Sequence, residues 1–352
     1  MRDDRPRLMA EQAARRLWEN ATRPKSDRSG RSVEEVCAAW CAYVPTYYRS
    51  KDGTPTSEAS NAVLAVRLFR ELYGARVMSE LQHSDMLCLR DAFVRSGLAR
   101  TTINKHLGIV RRMIAWALDE GFVSATVKSE LTQVKNLKKN RSNAPEPKPV
   151  TSVSDLDVER TVSALTPNTA DMVRVQRLTG MRPAEICALT WDEIDTTCTP
   201  WVYVPGHHKN EWRGQPRVIL IGAKAREILN RHREGVRPFS PVRSITEYFT
   251  HIRGGAEPSY PVGMARRPGE KWDAKAYTKA IHAGCRRAGV KEWSANQLRH
   301  SFATEVRRKF GIVMAGVLLG HSNGMRVTDI YSHEAAVDEI VRVGGEAIEA
   351  IG

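Results

Sequence analysis

Apolar positions in the first part of the chain recur at helical spacing. Over residues 101–120, Ile103, Leu107, Val110, Ile114 and Ala117 fall at i, i+4, i+7, i+11 and i+14, one stripe of a 3.6-residue period. Thr101 or Thr102 stands where a cap is needed. Residues 33–47, 57–72 and 84–96 are similarly rich in apolar residues, with an Asp52-Gly53 turn after the first. A small helical domain over 33–138 follows from this pattern. Ahead of it, residues 1–32 are poor in apolar side chains and carry Arg2, Arg5, Arg7, Arg15, Arg16, Arg23 and Arg28. They read as a basic arm with one short helix near 10–20, and both a solvated tail and a DNA-contacting arm fit them.

The pattern breaks at 139–150, where Pro145, Pro147 and Pro149 lie within five residues and no periodicity survives. This reads as a linker. Residues 151–352 form a second, mainly helical domain containing two β-branched or aromatic runs, 201–204 and 217–221. The polar stretch between them holds Arg213-Gly214, a hairpin signal. The fold class is therefore mainly α with a small antiparallel β-sheet, α+β in two domains. Residues 238–272, rich in Pro, Gly and Arg, read as a long loop. In the tail, 334–352, Val337, Ile340, Val341, Ile348 and Ile351 make a partly helical pattern broken at Gly344-Gly345.

Charge narrows the class. The chain has 54 Lys+Arg against 40 Asp+Glu, a formal net charge of +14, which favours a polyanionic partner. Both parts are basic: +9 through residue 150 and +5 beyond it. No apolar run approaches the ~20 residues of a membrane span. No secretory signal is evident in the opening residues, and six cysteines without a CxxC pair read as reduced, mostly core residues, so a cytoplasmic location is expected.

Three blocks carry candidate chemistry. In Thr179-Gly180-Met181-Arg182-Pro183-Ala184-Glu185, Gly180 can end one helix in a left-handed conformation and Pro183 can open the next. Arg182 is then pinned at a helix start, with Glu185 in the first turn. In Ser294-Ala295-Asn296-Gln297-Leu298-Arg299-His300, Ser294 can cap a helix on which Asn296, Arg299 and His300 share a face. The third block runs from Leu318-Leu319-Gly320-His321 to Thr328-Asp329-Ile330-Tyr331. Each residue alone has a bland reading as a structural His, an amphipathic Tyr or a surface Arg.

Taken in order with Lys209 of the hairpin, these blocks resemble the tyrosine recombinase (phage integrase) family over residues 33–340. The resemblance implies a helical core-binding domain at 33–138 and a catalytic domain at 151–352, closing on duplex DNA. It implies that Arg182 and Arg299 clamp the non-bridging oxygens of a scissile phosphate and that His321 bonds one of them. Tyr331 would attack phosphorus to give a 3′-phosphotyrosine, and Lys209 would protonate the leaving 5′-oxygen. Glu185 and His300 would support this set, with neither ATP nor metal required. Lys105, Arg111, Arg112, Lys138, Lys139 and Arg141 become candidates for contacts to DNA phosphates.

One departure stands inside the second block. The family has His three residues before the second Arg, and this chain has Asn296, which cannot act as a base at neutral pH. His300 and His321 are then the nearby alternatives. The expected use is integration or excision of a mobile element by a tetramer on two double-stranded DNA sites, with exchange of the C-terminal tail and with accessory DNA-bending or directionality proteins. Chromosome-dimer resolution, a type IB topoisomerase-like activity and a non-cleaving DNA-binding protein are the rival readings.

Overall fold

The computed structural model describes residues 30–50, 53–206, 217–252, 268–320 and 333–351. The chain divides into two compact units, Met1–Lys148 and Pro149–Gly352. No helix among the described residues is long and apolar enough to cross a membrane.

The first unit packs α1 (Val33–Tyr47), α2 (Ser57–Tyr73), α3 (His83–Arg95), α4 (Arg100–Asp119) and α5 (Ala125–Thr132) around one core. Ser32 and Glu35 form a reciprocal cap on α1, satisfying two N–H groups that have no partner within the helix. The stripe Ile103, Leu107, Val110, Ile114 and Ala117 is wholly buried.

The start of α4 differs from expectation. Neither Thr101 nor Thr102 caps it. The helix opens at Arg100, whose N–H donates to the carbonyl of Pro145 at 2.9 Å. The proline-rich stretch supplies the cap instead. Arg100 also binds Glu146 through Nε at 2.8 Å, Asn104 exchanges two hydrogen bonds with the backbone of Leu137, and Ala144 is buried. Lacking a repeating pattern of its own, this stretch is held by side chains of α4.

In the second unit, α6 (Asp155–Val162), α7 (Pro167–Thr179), α8 (Pro183–Ala188), α9 (Ala223–Asn230), α10 (Pro241–Glu247), α11 (Ala274–Arg287), α12 (Ala295–Leu319) and α13 (His333–Ile351) surround a three-stranded antiparallel sheet. Its strands are β1 (Ile194–Asp195), β2 (Trp201–Tyr203) and β3 (Ile219–Ile221), with Val202 opposite Leu220 and Ile194 opposite Tyr203. The two-residue β1 is too short for a period-2 pattern to reveal. Every residue of β2 and β3 is buried, because both sheet faces are covered. Trp201, Tyr203, Ile219 and Ile221 face one core, while Val202, Val218 and Leu220 join Phe302, Val306 and Leu318 in another.

Two further expectations are corrected. Part of 238–272 is helical: α10 has Ser240 as its N-cap and Pro241 in its first turn, and a wider helical turn follows over Tyr248–Ile252. The tail is not broken at Gly344-Gly345. α13 runs through both glycines and lies on its own unit, with Ala347, Ile348 and Ile351 buried against the Val202–Leu220–Leu318 face. A Cβ at Gly344 would stand 2.8 Å from a methyl of Leu318 and 3.1 Å from one of Leu220. Here glycine permits close packing and does not end the helix.

Candidate active site

The first arginine is positioned by a short sequence of local necessities. α7 ends at Gly180, with φ +65° and ψ 18°, and its N–H donates to Gln176 O. A Cβ there would lie 2.3 Å from the ring of Phe302, so both backbone conformation and packing require glycine. Two residues on, Arg182 is the N-cap of α8 and Pro183 follows in its first turn. The carboxylate of Glu185 accepts from the Arg182 backbone N–H at 2.7 Å and from its Nη1 at 2.6 Å. The Arg182 side chain stays partly exposed at 23%, while that of Glu185 is 3% exposed.

The second arginine arrives on α12, whose first turn is fastened by the Ser294 N–H donating to Gln297 Oε1 at 2.9 Å. Arg299 is buried. Its Nη1 donates to Gly180 O at 2.7 Å and its Nη2 to Leu319 O. Buried Gln176 braces the same junction, donating to Met181 O at 3.0 Å and to Ala295 O at 3.1 Å. Its own oxygen accepts from Tyr277 Oη at 3.0 Å. Residues remote in sequence thus meet at one turn.

A third guanidinium belongs to the cluster, from a residue not singled out for chemistry in the sequence. Arg217, just ahead of β3, is 3% exposed. Its Nε donates to Glu185 Oε1 at 3.1 Å, and its Nη1 donates to Val218 O and to Leu318 O at 3.2 Å. Nη2 has no partner among the described residues. The available signal was a cation leading an otherwise continuous apolar strand, since only a partnered charge belongs there.

Arg182 and Arg217 share the Glu185 carboxylate, and Arg299 bonds main-chain carbonyls beside them. Burial pulls the Arg299 guanidinium down to about 9, with Arg217 and Arg182 adding to the effect and Glu185 opposing it. Burial also lowers Arg217. For Glu185, burial pushes upward, but Arg217, the Arg182 N–H and the Arg182 charge together hold it below the ordinary carboxylate range. The cluster carries an excess of positive charge in a poorly hydrated place. An anion near Arg182 relieves that excess, and a phosphodiester has suitable charge and oxygens for a guanidinium fork.

The other candidates fall as follows. Asn296 and His300 are exposed on α12, with Nδ2 and Nε2 3.4 Å apart, whereas Arg299 of the same helix turns inward. Lys209, His321 and Tyr331 lie outside the described residues. In the first unit, exposed Lys105 and Arg112 both approach Glu58, at 3.4 and 2.9 Å. Arg111 is committed to its own fold, donating to Val134 O at 2.7 Å and to Asn136 Oδ1 at 2.6 Å. Lys138, Lys139 and Arg141 are exposed.

The phage integrase family model matches residues 156–337, just over half of the chain. A tyrosine recombinase XerC of Xanthomonas axonopodis pv. citri is 26% identical over 270 residues, spanning 74% of this chain and 77% of that protein. A XerC of Pediococcus pentosaceus is 30% identical over 158 residues, and the match spans less than half of either protein, 44% of this chain and 46% of the relative. Among solved structures, the fold is similar to that of a lambda integrase tetramer bound to a Holliday junction, with TM-score 0.62, 11% identity and coverage of 94% of this chain and 90% of that one. The Tn1549 transposon integrase in complex with circular intermediate DNA gives TM-score 0.55 and 16% identity, with 87% and 98% covered.

Proposed function

Because this chain belongs to the phage integrase family, we propose that it is a site-specific recombinase that cleaves and rejoins duplex DNA. The observation that carries the reading is the meeting of Arg182 and Arg299 at the Gly180 turn, with Glu185 bound to Arg182. The two guanidiniums would neutralise the charge that spreads over the non-bridging oxygens as a phosphodiester is attacked. Tyr331 Oη forms the new bond to phosphorus, and the bond from phosphorus to the 5′-oxygen breaks. That oxygen leaves with a proton from Lys209, and His321 bonds a phosphate oxygen. His300 and His321 are the candidates to take the phenol proton, since Asn296 cannot. The phosphotyrosine ester conserves the energy of the broken bond, so a 5′-hydroxyl from another strand can reverse the step.

The use we propose is integration or excision of a mobile element, by a tetramer acting on two double-stranded DNA sites in the cytoplasm. The lambda integrase tetramer on a Holliday junction supports that assembly. Exposed Lys105, Arg112, Lys138, Lys139 and Arg141 are the proposed phosphate contacts of the first unit.

A nicked target site tests the reading, because loss of the short strand beyond the nick traps the covalent complex. Wild-type protein should become attached to DNA, and Tyr331→Phe should not. Saturated binding without any adduct would overturn the enzyme reading in favour of a DNA-binding protein that does not cleave. Relaxation of supercoils without recombinant product would assign the chemistry to a topoisomerase.

A further inference from the structure

We propose that Arg217 is a positioning residue that sets the spacing and orientation of Arg182 and Arg299. The inference rests on the reading of those two as the phosphate clamp. Arg217 is 3% exposed, and its Nε and Nη1 are engaged by Glu185, Val218 O and Leu318 O, so the part assigned to it is played through neighbours.

Its contacts reach both halves of the clamp. Nε holds Glu185 Oε1, the same oxygen that binds Arg182 Nη1. Nη1 holds Leu318 O, one residue from the carbonyl that Arg299 takes on Leu319. The side chain is rooted at the edge of β3, with Nη1 also on Val218 O. One planar guanidinium thus links the α8 turn, the sheet and the C-terminal end of α12. The end of α12 is shaped to receive it. Gly320 has φ +62°, and a Cβ there would lie 2.7 Å from Arg217 Nη1.

Stability alone is a poor reason to keep such a residue. Burying a cation is costly, and a well-packed apolar side chain often does as well or better. The same position also orients charge. With Arg217 in place, Glu185 is shared between two guanidiniums, and Arg182 is held without being fully neutralised. Without Arg217, the carboxylate would turn wholly to Arg182 and weaken its hold on phosphate. Lysine keeps the charge but presents a single point, so it can serve Glu185 or Leu318 O and not both.

The test uses full-length protein on the nicked site at saturating protein, read as the rate constant and the amplitude of adduct formation. Duplex affinity and the thermal midpoint are measured alongside. Arg217→Met should lower the rate constant about 100-fold, the scale of a displaced reacting geometry, and Arg217→Lys about 10-fold. Affinity and amplitude should stay near wild type. A wild-type rate constant in both variants would overturn the inference alone, whether amplitude is kept or reduced. Reduced amplitude at normal rate is the signature of a residue that only supports folding. If Arg217→Met does not fold, Arg217→Lys decides: a slowed rate constant supports the proposal and a normal one overturns it. Absence of adduct with wild-type protein would overturn the clamp reading and this inference together.

Discussion

The guanidinium of Arg299 donates to the carbonyl of Gly180 at 2.7 Å, so the arginine of α12 is tied to the turn that precedes Arg182. The site depends on a main-chain oxygen whose position is set by a left-handed glycine. Errors at Gly180 should therefore reach both arginines together.

Gly180→Ala should destabilise the second unit and slow DNA cleavage. The left-handed conformation costs a non-glycine residue roughly 1–2 kcal/mol, and forcing the Phe302 ring aside adds about 1–3 kcal/mol. Denaturant unfolding measures the total. Adding Phe302→Leu should return part of the loss, because it relieves the contact and not the backbone strain. Additive losses in the double variant would refute that division.

Arg182→Ala and Arg299→Ala should each abolish adduct formation while duplex binding is largely retained. Most of the binding energy comes from many cations along the backbone, whereas transition-state charge is met by very few. Filter binding and a denaturing gel read the two quantities on the same samples. Normal cleavage by either variant would remove it from the clamp.

Glu185 should make stability depend on pH in a particular window. Its folded pKa lies below the ordinary value because Arg217 and Arg182 outweigh the effect of burial. A depressed carboxylate contributes stability that is fully present above its unfolded pKa, about 4.3, and that is lost as pH falls through the folded value. The stability gap between wild type and Glu185→Gln should therefore be largest near neutrality and close under acid. A gap that stays constant to low pH would contradict the pairing.

Arg111 and Arg112 are adjacent in sequence and should behave differently. Arg112→Ala and Lys105→Ala should each reduce the salt slope of DNA binding by about 0.9 if they meet phosphates. Arg111→Ala should leave the slope unchanged. It should instead cost the first unit roughly 1–3 kcal/mol, since its hydrogen bonds hold Val134 O and Asn136. A change of slope with unchanged stability for Arg111→Ala would reverse the assignment.

The tail offers a packing test. Gly344→Val should lift α13 from the Leu318–Leu220 face, because the new side chain would collide with both. Faster amide exchange over 337–351 is the expected result, with α12 little affected before Leu318. Unchanged protection would mean that the seat adjusts to the added methyl groups.

What the sequence determined by itself was whatever local chemistry dictates. Gly180, Arg182, Pro183 and Glu185 specify a helix end, a cap and a first turn within six residues, and the structure builds them so. The stripe of α4 was legible because one face of a lone helix must be buried. Other features depend on partners far along the chain. Pro145 caps α4 from 45 residues away, and nothing in either segment announces the other. Gly344 reads as a helix breaker until Leu318 and Leu220 are seen against it. Arg217 reads as a strand-edge cation until Glu185 and Leu318 enclose it. Local backbone preferences are carried by neighbouring residues, whereas the burial of a charge or the close approach of two backbones is decided by which distant surfaces meet.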